Sequence, residues 1–166
     1  MSSAKVTVEA KGDRELVISR AFNAPNEMVF KAYTECKYLK RWLSGMEGWS
    51  LEVCNVDLTV GGKYRWVWKK GAIEMGMGGE YRELSRPDRI VCTEQFDDAW
   101  YPGEAISTLT LEEKDGVTTV TNTMLYVSKE ARDGVLQSPM EEGLSLSYDR
   151  LEELLAESAQ AAGSGE

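Results

Sequence analysis

The 166-residue chain contains no histidine. That absence removes every Ser-His and Cys-His nucleophile arrangement, the HExxH zinc helix and the commonest metal ligand. Chemistry here would have to run on carboxylates, phenols, amines, guanidinium groups, thiols or backbone amides, and no catalytic residue, metal or cofactor is assigned. Cysteine is sparse: Cys36, Cys54 and Cys92 are widely spaced, odd in number and form no CxxC pair. Such a count does not suggest a disulfide framework, so each cysteine is expected to be a small apolar filler. Basic residues are outnumbered, 19 against 28 acidic ones, for a net charge of -9. With no basic run to neutralise phosphates, neither nucleic acid nor an anionic membrane surface is expected as a partner. Long apolar runs are missing as well. The longest uncharged stretch, Gly116 to Ser128, falls well short of the ~20 residues a spanning helix needs. The opening stretch from Met1 to Glu15 carries Lys5, Glu9, Lys11, Asp13 and Arg14 and lacks a leader's apolar core. The expected location is cytoplasmic.

What is present reads as one α+β domain over residues 1–166. A chain of this size buries roughly 70% of its unfolded surface and needs no cross-links to fold. Residues Glu15 to Phe22 are rich in apolar and β-branched types and form a first strand. Ala24-Pro25-Asn26-Glu27 opens a helix, with proline at the first helical position. A second short helix covers Glu35 to Leu43, with Tyr38, Leu39 and Trp42 on one side. Strands follow at Trp49–Val56, Lys63–Lys69, Ile73–Leu84, Arg89–Phe96, Ala105–Glu112 and Val117–Tyr126. The turn signals between them are Gly61-Gly62, Lys70-Gly71, Arg86-Pro87-Asp88 and Lys114-Asp115-Gly116. Ser128 caps a short helix to about Leu136. Ser138-Pro139-Met140-Glu141 fits a capping box that starts a long one. Its apolar stripe runs through Leu144, Ser147, Tyr148, Leu151, Leu154 and Leu155. Residues 159–166 are small and polar and read as a frayed tail.

In order and spacing these pieces resemble a known family. They are Leu16-Val-Ile-Ser-Arg-Ala-Phe-Asn-Ala-Pro25, Val29-Phe-Lys-Ala-Tyr-Thr34 leading to Leu39-Lys-Arg-Trp42, and Val60-Gly-Gly-Lys-Tyr-Arg65. Further on come Gly79-Glu-Tyr-Arg-Glu-Leu84, Pro87-Asp-Arg-Ile-Val-Cys-Thr-Glu94, and Met140-Glu-Glu-Gly-Leu144 to Arg150-Leu151. The chain is similar, over about residues 14–157, to the bacterial branch related to the activator of the ninety-kilodalton heat-shock-protein ATPase. That branch belongs to the START, polyketide-cyclase and birch-pollen-allergen superfamily. The resemblance implies a helix-grip fold: a curved antiparallel sheet of about six to seven strands around a long C-terminal helix, with two short helices after the first strand. It also implies a deep cavity between sheet and helix. It does not fix one function, because members bind lipids, hormones or polyketides, cyclise substrates or assist a chaperone.

Alternation places Tyr64, Trp66 and Trp68 on one face, a wall suited to a flat ring system, although period alone leaves open which sheet face that is. Met75, Met77, Met124 and Met140 supply adaptable apolar surface. The Gly-rich stretch around Met75 and Met77 lacks nucleotide-loop spacing, and Gly in a strand leaves space beside it or marks a bulge. Tyr81 alternates with these methionines. Trp42, Trp49, Phe96, Trp100 and Tyr101 lie at helix ends or loops where a mouth would form. Leu144 and Tyr148 face inward from the long helix. Polar candidates for orienting a guest are Arg65, Glu80, Glu94, Glu104 and Asn122. A carboxylate in an apolar cavity titrates high and is the one acid–base route available. The expected function is binding of a small hydrophobic or aromatic molecule for transport, sequestration or resistance. The alternatives are a polyketide-cyclase-like enzyme using a carboxylate or Tyr, and a stress-response module with a chaperone as partner. Both a monomer and a homodimer are compatible with the sequence.

Overall fold

A computed structural model describes the backbone of residues 5–44, 46–98, 103–138 and 140–164, with side chains throughout except at 140 and 160–164. In chain order the elements are β1 (Thr7–Lys11), β2 (Glu15–Phe22), α1 (Asn26–Thr34), α2 (Cys36–Trp42), β3 (Ser50–Val56) and β4 (Lys63–Lys70). They continue with β5 (Ile73–Ser85), β6 (Arg89–Phe96), β7 (Ala105–Lys114), β8 (Val117–Leu125), α3 (Lys129–Gln137) and α4 (Met140–Ser164). The eight strands form one sheet in the order β1-β2-β8-β7-β6-β5-β4-β3, every neighbouring pair antiparallel.

Local chemistry accounts for the boundaries. The β7–β8 hairpin turns at Asp115 and Gly116, both in the left-handed region at φ 54° and 78°. That is the two-residue geometry whose twist matches the strands. Ser128 Oγ accepts from the Ala131 amide at 3.1 Å and caps α3. Pro25 stands at the N-cap of α1 rather than at its first helical residue. α4 runs on to Ser164, so most of the stretch expected to be a frayed tail is helical. β1 was not expected from the sequence. It is an edge strand exposed along most of its length, and only the short alternation of Val6, Val8 and Ala10 marks it.

Along β2 every second residue is buried, and the inward set of Leu16, Ile18, Arg20 and Phe22 includes a cation. Arg20 is the anchor between sheet and helix. Its Nη1 donates to the Tyr148 carbonyl at 2.7 Å and its Nη2 to Glu152 Oε1 at 3.1 Å, while the guanidinium sits 4.7 Å from the Phe22 ring centroid. α3 is tied down by Arg132, whose Nη1 donates to the carbonyls of Gly12 and Glu15. Cys36, opening α2, is joined to Cys54 on β3 by a disulfide with a Cα–Cα separation of 5.8 Å. This corrects the expectation that all three cysteines are independent fillers. The pairing follows from α2 packing on β3, which spacing along the chain does not reveal. In a reducing compartment the pair stands as two thiols.

Arg20→Ala is expected to lower unfolding free energy by roughly 2–4 kcal/mol, because it leaves the Tyr148 carbonyl and Glu152 without their donor. Urea denaturation measures it, and a change below about 0.5 kcal/mol, the size of an ordinary surface substitution, would remove Arg20 from the anchoring role.

Candidate ligand-binding cavity

α4 packs against α2, and more lightly against α1 and α3, and stands off from the strands. The space left between it and the sheet is a partly open cavity of about 870 Å³, within the 300–1,000 Å³ range of small-molecule sites.

Its sheet wall is built by alternation. β4 contributes Tyr64, Trp66 and Trp68, which settles the face question: all three point toward the helix. Their rings form a continuous surface, with Tyr64 and Trp66 centroids 4.8 Å apart and Trp66 and Trp68 6.1 Å apart. β5 adds Met75, Met77 and Tyr81, β6 adds Cys92, Glu94 and Phe96, and β8 adds Asn122 and Met124. Tyr64 can lie flat here because its partner across the ladder is Gly79. A methyl at that position would overlap both the Thr93 carbonyl and the Tyr64 ring. The Tyr64 hydroxyl donates to the same Thr93 carbonyl at 2.6 Å. The helix wall carries Trp42 from α2 and Leu144, Ser147 and Tyr148 from α4. Trp42 is held by its Nε1 donating to the Ala32 carbonyl at 2.8 Å, and its ring lies 4.8 Å from Tyr33 and 6.3 Å from Tyr148. Trp68 ties the two walls together, its Nε1 donating to the Leu43 carbonyl at 2.7 Å. Met46, Ile73 and Met75 stand exposed at the mouth.

The polar groups inside are few. Ser107 Oγ on β7 donates to Asn122 Oδ1 at 2.9 Å. Tyr33 Oη and Trp66 Nε1 are buried with no hydrogen-bond partner among the described residues. The Tyr33 and Tyr148 phenols face each other closely enough to interact electrostatically, short of a well-formed hydrogen bond, and burial pushes both above the usual tyrosine range. Burial likewise pushes the Cys92 thiol up to about 11, so it stays protonated and unreactive at neutral pH. Glu94 is the exceptional group: it faces the cavity from β6, and burial alone pushes its carboxyl up to about 7. It has no ion-pair or hydrogen-bond partner among the described residues. No group of His, Cys, Asp and Glu that could hold a metal ion occurs among the described residues.

Three polar candidates do not belong to this site. Arg65 lies between Tyr64 and Trp66, so the alternation that turns those rings inward turns it outward. There it chelates Asp97 with bonds of 2.7 and 2.6 Å, which hold the Asp97 carboxyl below the usual range. Glu80, next to inward Tyr81, pairs on the outer face with Arg82 at 3.1 Å. Glu104, ahead of β7, reaches the same Arg82 at 3.5 Å. The side chain of Met140, and residues Trp100 and Tyr101, lie outside what the structure describes. Residues the sequence did not single out also line the cavity, among them Tyr33, Leu39, Ser107 and Tyr126. For Ser107 and Tyr126 the strand alternation, carried across from Met124, was the signal that would have found them.

The family described as Activator of Hsp90 ATPase homolog 1-like protein matches residues 23–156. No curated protein matches the chain. Among solved structures, a protein from Rhodobacter sphaeroides is 28% identical, with a TM-score of 0.86 over 92% of this chain and 98% of that one. A protein from Chromobacterium violaceum is 27% identical, with a TM-score of 0.72 over 86% and 96%. An HSP90 activator from Plasmodium falciparum is 24% identical, with a TM-score of 0.65 over 86% and 96%, a likeness of fold alone.

A raised carboxyl pKa fixes the sign of a pH effect. Glu94 titrates near 4.5 in the unfolded chain and about 7 in the fold. Its contribution is therefore fully present below the lower value and lost as pH rises through the upper one. Glu94→Gln is expected to melt above wild type at about pH 8, by no more than about 3 kcal/mol, with the gap closing near pH 5. Thermal melts at the two pH values check this, and a pH-independent gap would contradict it.

Proposed function

The chain belongs to the Activator of Hsp90 ATPase homolog 1-like family, and on that premise we propose that it binds a small hydrophobic, ring-bearing molecule in the cavity between α4 and the sheet. The observation that carries this reading is an interior space of about 870 Å³ whose walls are mostly apolar. Water gains few hydrogen bonds from such walls, so displacing it with a flat apolar guest is favourable. The Trp66 and Trp68 rings, set edge to face, offer aromatic surface to that guest, and the methionines of β5 and β8 adapt to its outline. Carriage, sequestration or resistance would each use such a site.

A second reading rests on a different observation. The mouth exposes Met46, Ile73 and Met75 at 43%, 60% and 43%, and a structural neighbour is an HSP90 activator. Together they support docking of a chaperone at the rim. Glu94 keeps the cyclase-like alternative in view, as the one carboxyl inside the cavity placed to move a proton.

Four of the five tryptophans line the cavity, so their emission reports occupancy. Titration with 9-methylanthracene is expected to quench them and raise the melting temperature. Ser147→Leu, which fills space on the α4 wall, is expected to weaken binding about tenfold or more. A panel of neutral polycyclic molecules that moves neither emission nor melting temperature would remove this reading. The rim reading makes the opposite forecast: Ile73→Lys abolishes stimulation of a chaperone ATPase and Ser147→Leu leaves it intact.

A further inference from the structure

The charged side chains that line the cavity are all acidic, although Glu74 at the rim pairs with Lys69 at 3.6 Å. Among the described lining residues Glu74, Glu94 and Asp98 are the carboxylic acids, and no lysine or arginine lines the cavity with them. Glu74 and Asp98 are exposed, whereas Glu94 is set deeper, between Cys92 and Phe96 on β6. Across the ladder from Glu94 stands Ala105, whose small side chain crowds it little. Burial keeps Tyr33, Tyr148, Tyr64, Tyr81 and Cys92 protonated and neutral, and Tyr126 from the β8 side is the remaining titratable group among the described lining residues. Among the described residues no cation offsets the Glu94 charge, so burial acts on it uncompensated.

The aromatic walls bear on the same question. Tyr64, Trp66 and Trp68 line the cavity with neighbouring rings inclined by 46° and 76°, so a guest meets ring faces as well as edges, and ring faces attract cations, most strongly where water is excluded. The net charge of -9 raises the local concentration of cations and lowers that of anions.

We propose that the guest is an organic cation: a flat aromatic body carrying a protonated nitrogen, the ring held between the tryptophan wall and α4 and the nitrogen seated on the Glu94 carboxylate. This rests on the cavity-binding reading above and names the chemical class that reading leaves open. A cation restores the balance that burial upsets, because it supplies the positive partner Glu94 lacks. Binding then draws Glu94 to its ionised form and releases a proton wherever the empty site was protonated. An anionic guest such as a fatty acid meets the Glu94 carboxylate with no cation in the lining to offset it, and binds more weakly.

The test uses three tricyclic probes of one shape and different charge: 9-aminoacridine as the cation, 9-methylanthracene as the neutral form and 9-anthracenecarboxylate as the anion. Wild type at about pH 8 is expected to bind the cation about tenfold or more tighter than the neutral probe, and the anion more weakly than both. In Glu94→Gln the cation-to-neutral ratio is expected to fall to about one. Wild-type affinity for the cation is expected to drop as pH falls below about 7, where Glu94 takes up its proton, and this arm needs no variant to fold. A ratio near one in wild type, or an affinity that rises as pH falls, overturns the organic-cation proposal and leaves cavity binding standing. Failure of all three probes to bind overturns cavity binding itself.

Discussion

The fold depends on a mismatch of shapes that one buried cation bridges. A straight helix of 25 residues cannot touch an eight-stranded twisted sheet along its whole length. α4 meets its neighbours through α1, α2 and α3, and Arg20 fastens it to β2 through the Tyr148 carbonyl and Glu152. Those attachments fix where the helix stands, and the sheet beyond them curves away. The cavity is the volume between, so the same contacts that secure α4 also hold the site open.

The wall of that space is specified by the strand period. Each inward residue brings two outward neighbours with it, so the aromatic and methionine face and the surface ion pairs are two sides of one pattern. Tyr64 and Trp66 inward require Arg65 outward, where Asp97 meets it. Gly79 completes the pattern by omission: with no side chain there, Tyr64 lies against the Thr93 carbonyl. Into this surface the chain places one deep carboxyl, on Glu94, on which the proposed preference for a cationic guest rests.

Much of this was legible in the sequence. Turn residues and alternation located β2 through β8 to within a residue or two at most ends, and the apolar stripe of α4 identified its inward face. The exposed edge strand β1 offered only the short alternation of Val6, Val8 and Ala10 among charged residues, and was missed. The Cys36–Cys54 pair was not legible either, since the two cysteines meet only once α2 has packed on β3. Among site residues, the apolar candidates followed from period and bulk. The polar ones failed where side-chain type was weighed without the period: Arg65 and Glu80 are excluded by the inward placing of Tyr64 and Tyr81, while Glu94 and Asn122 share the face of Phe96 and Met124. Arg20 was hidden for the opposite reason, because an arginine at an inward strand position reads as an interruption of the core until its carbonyl partner on α4 is in place.

Binding of a guest between α4 and the sheet requires a hollow interior. Diffraction from crystals held under xenon pressure tests that directly, because xenon settles in apolar space and is readily located. The structure predicts ordered xenon between α4 and the β4–β5 wall, near Trp66, Met77 and Leu144. An interior without xenon, with those side chains closed against one another, would contradict it.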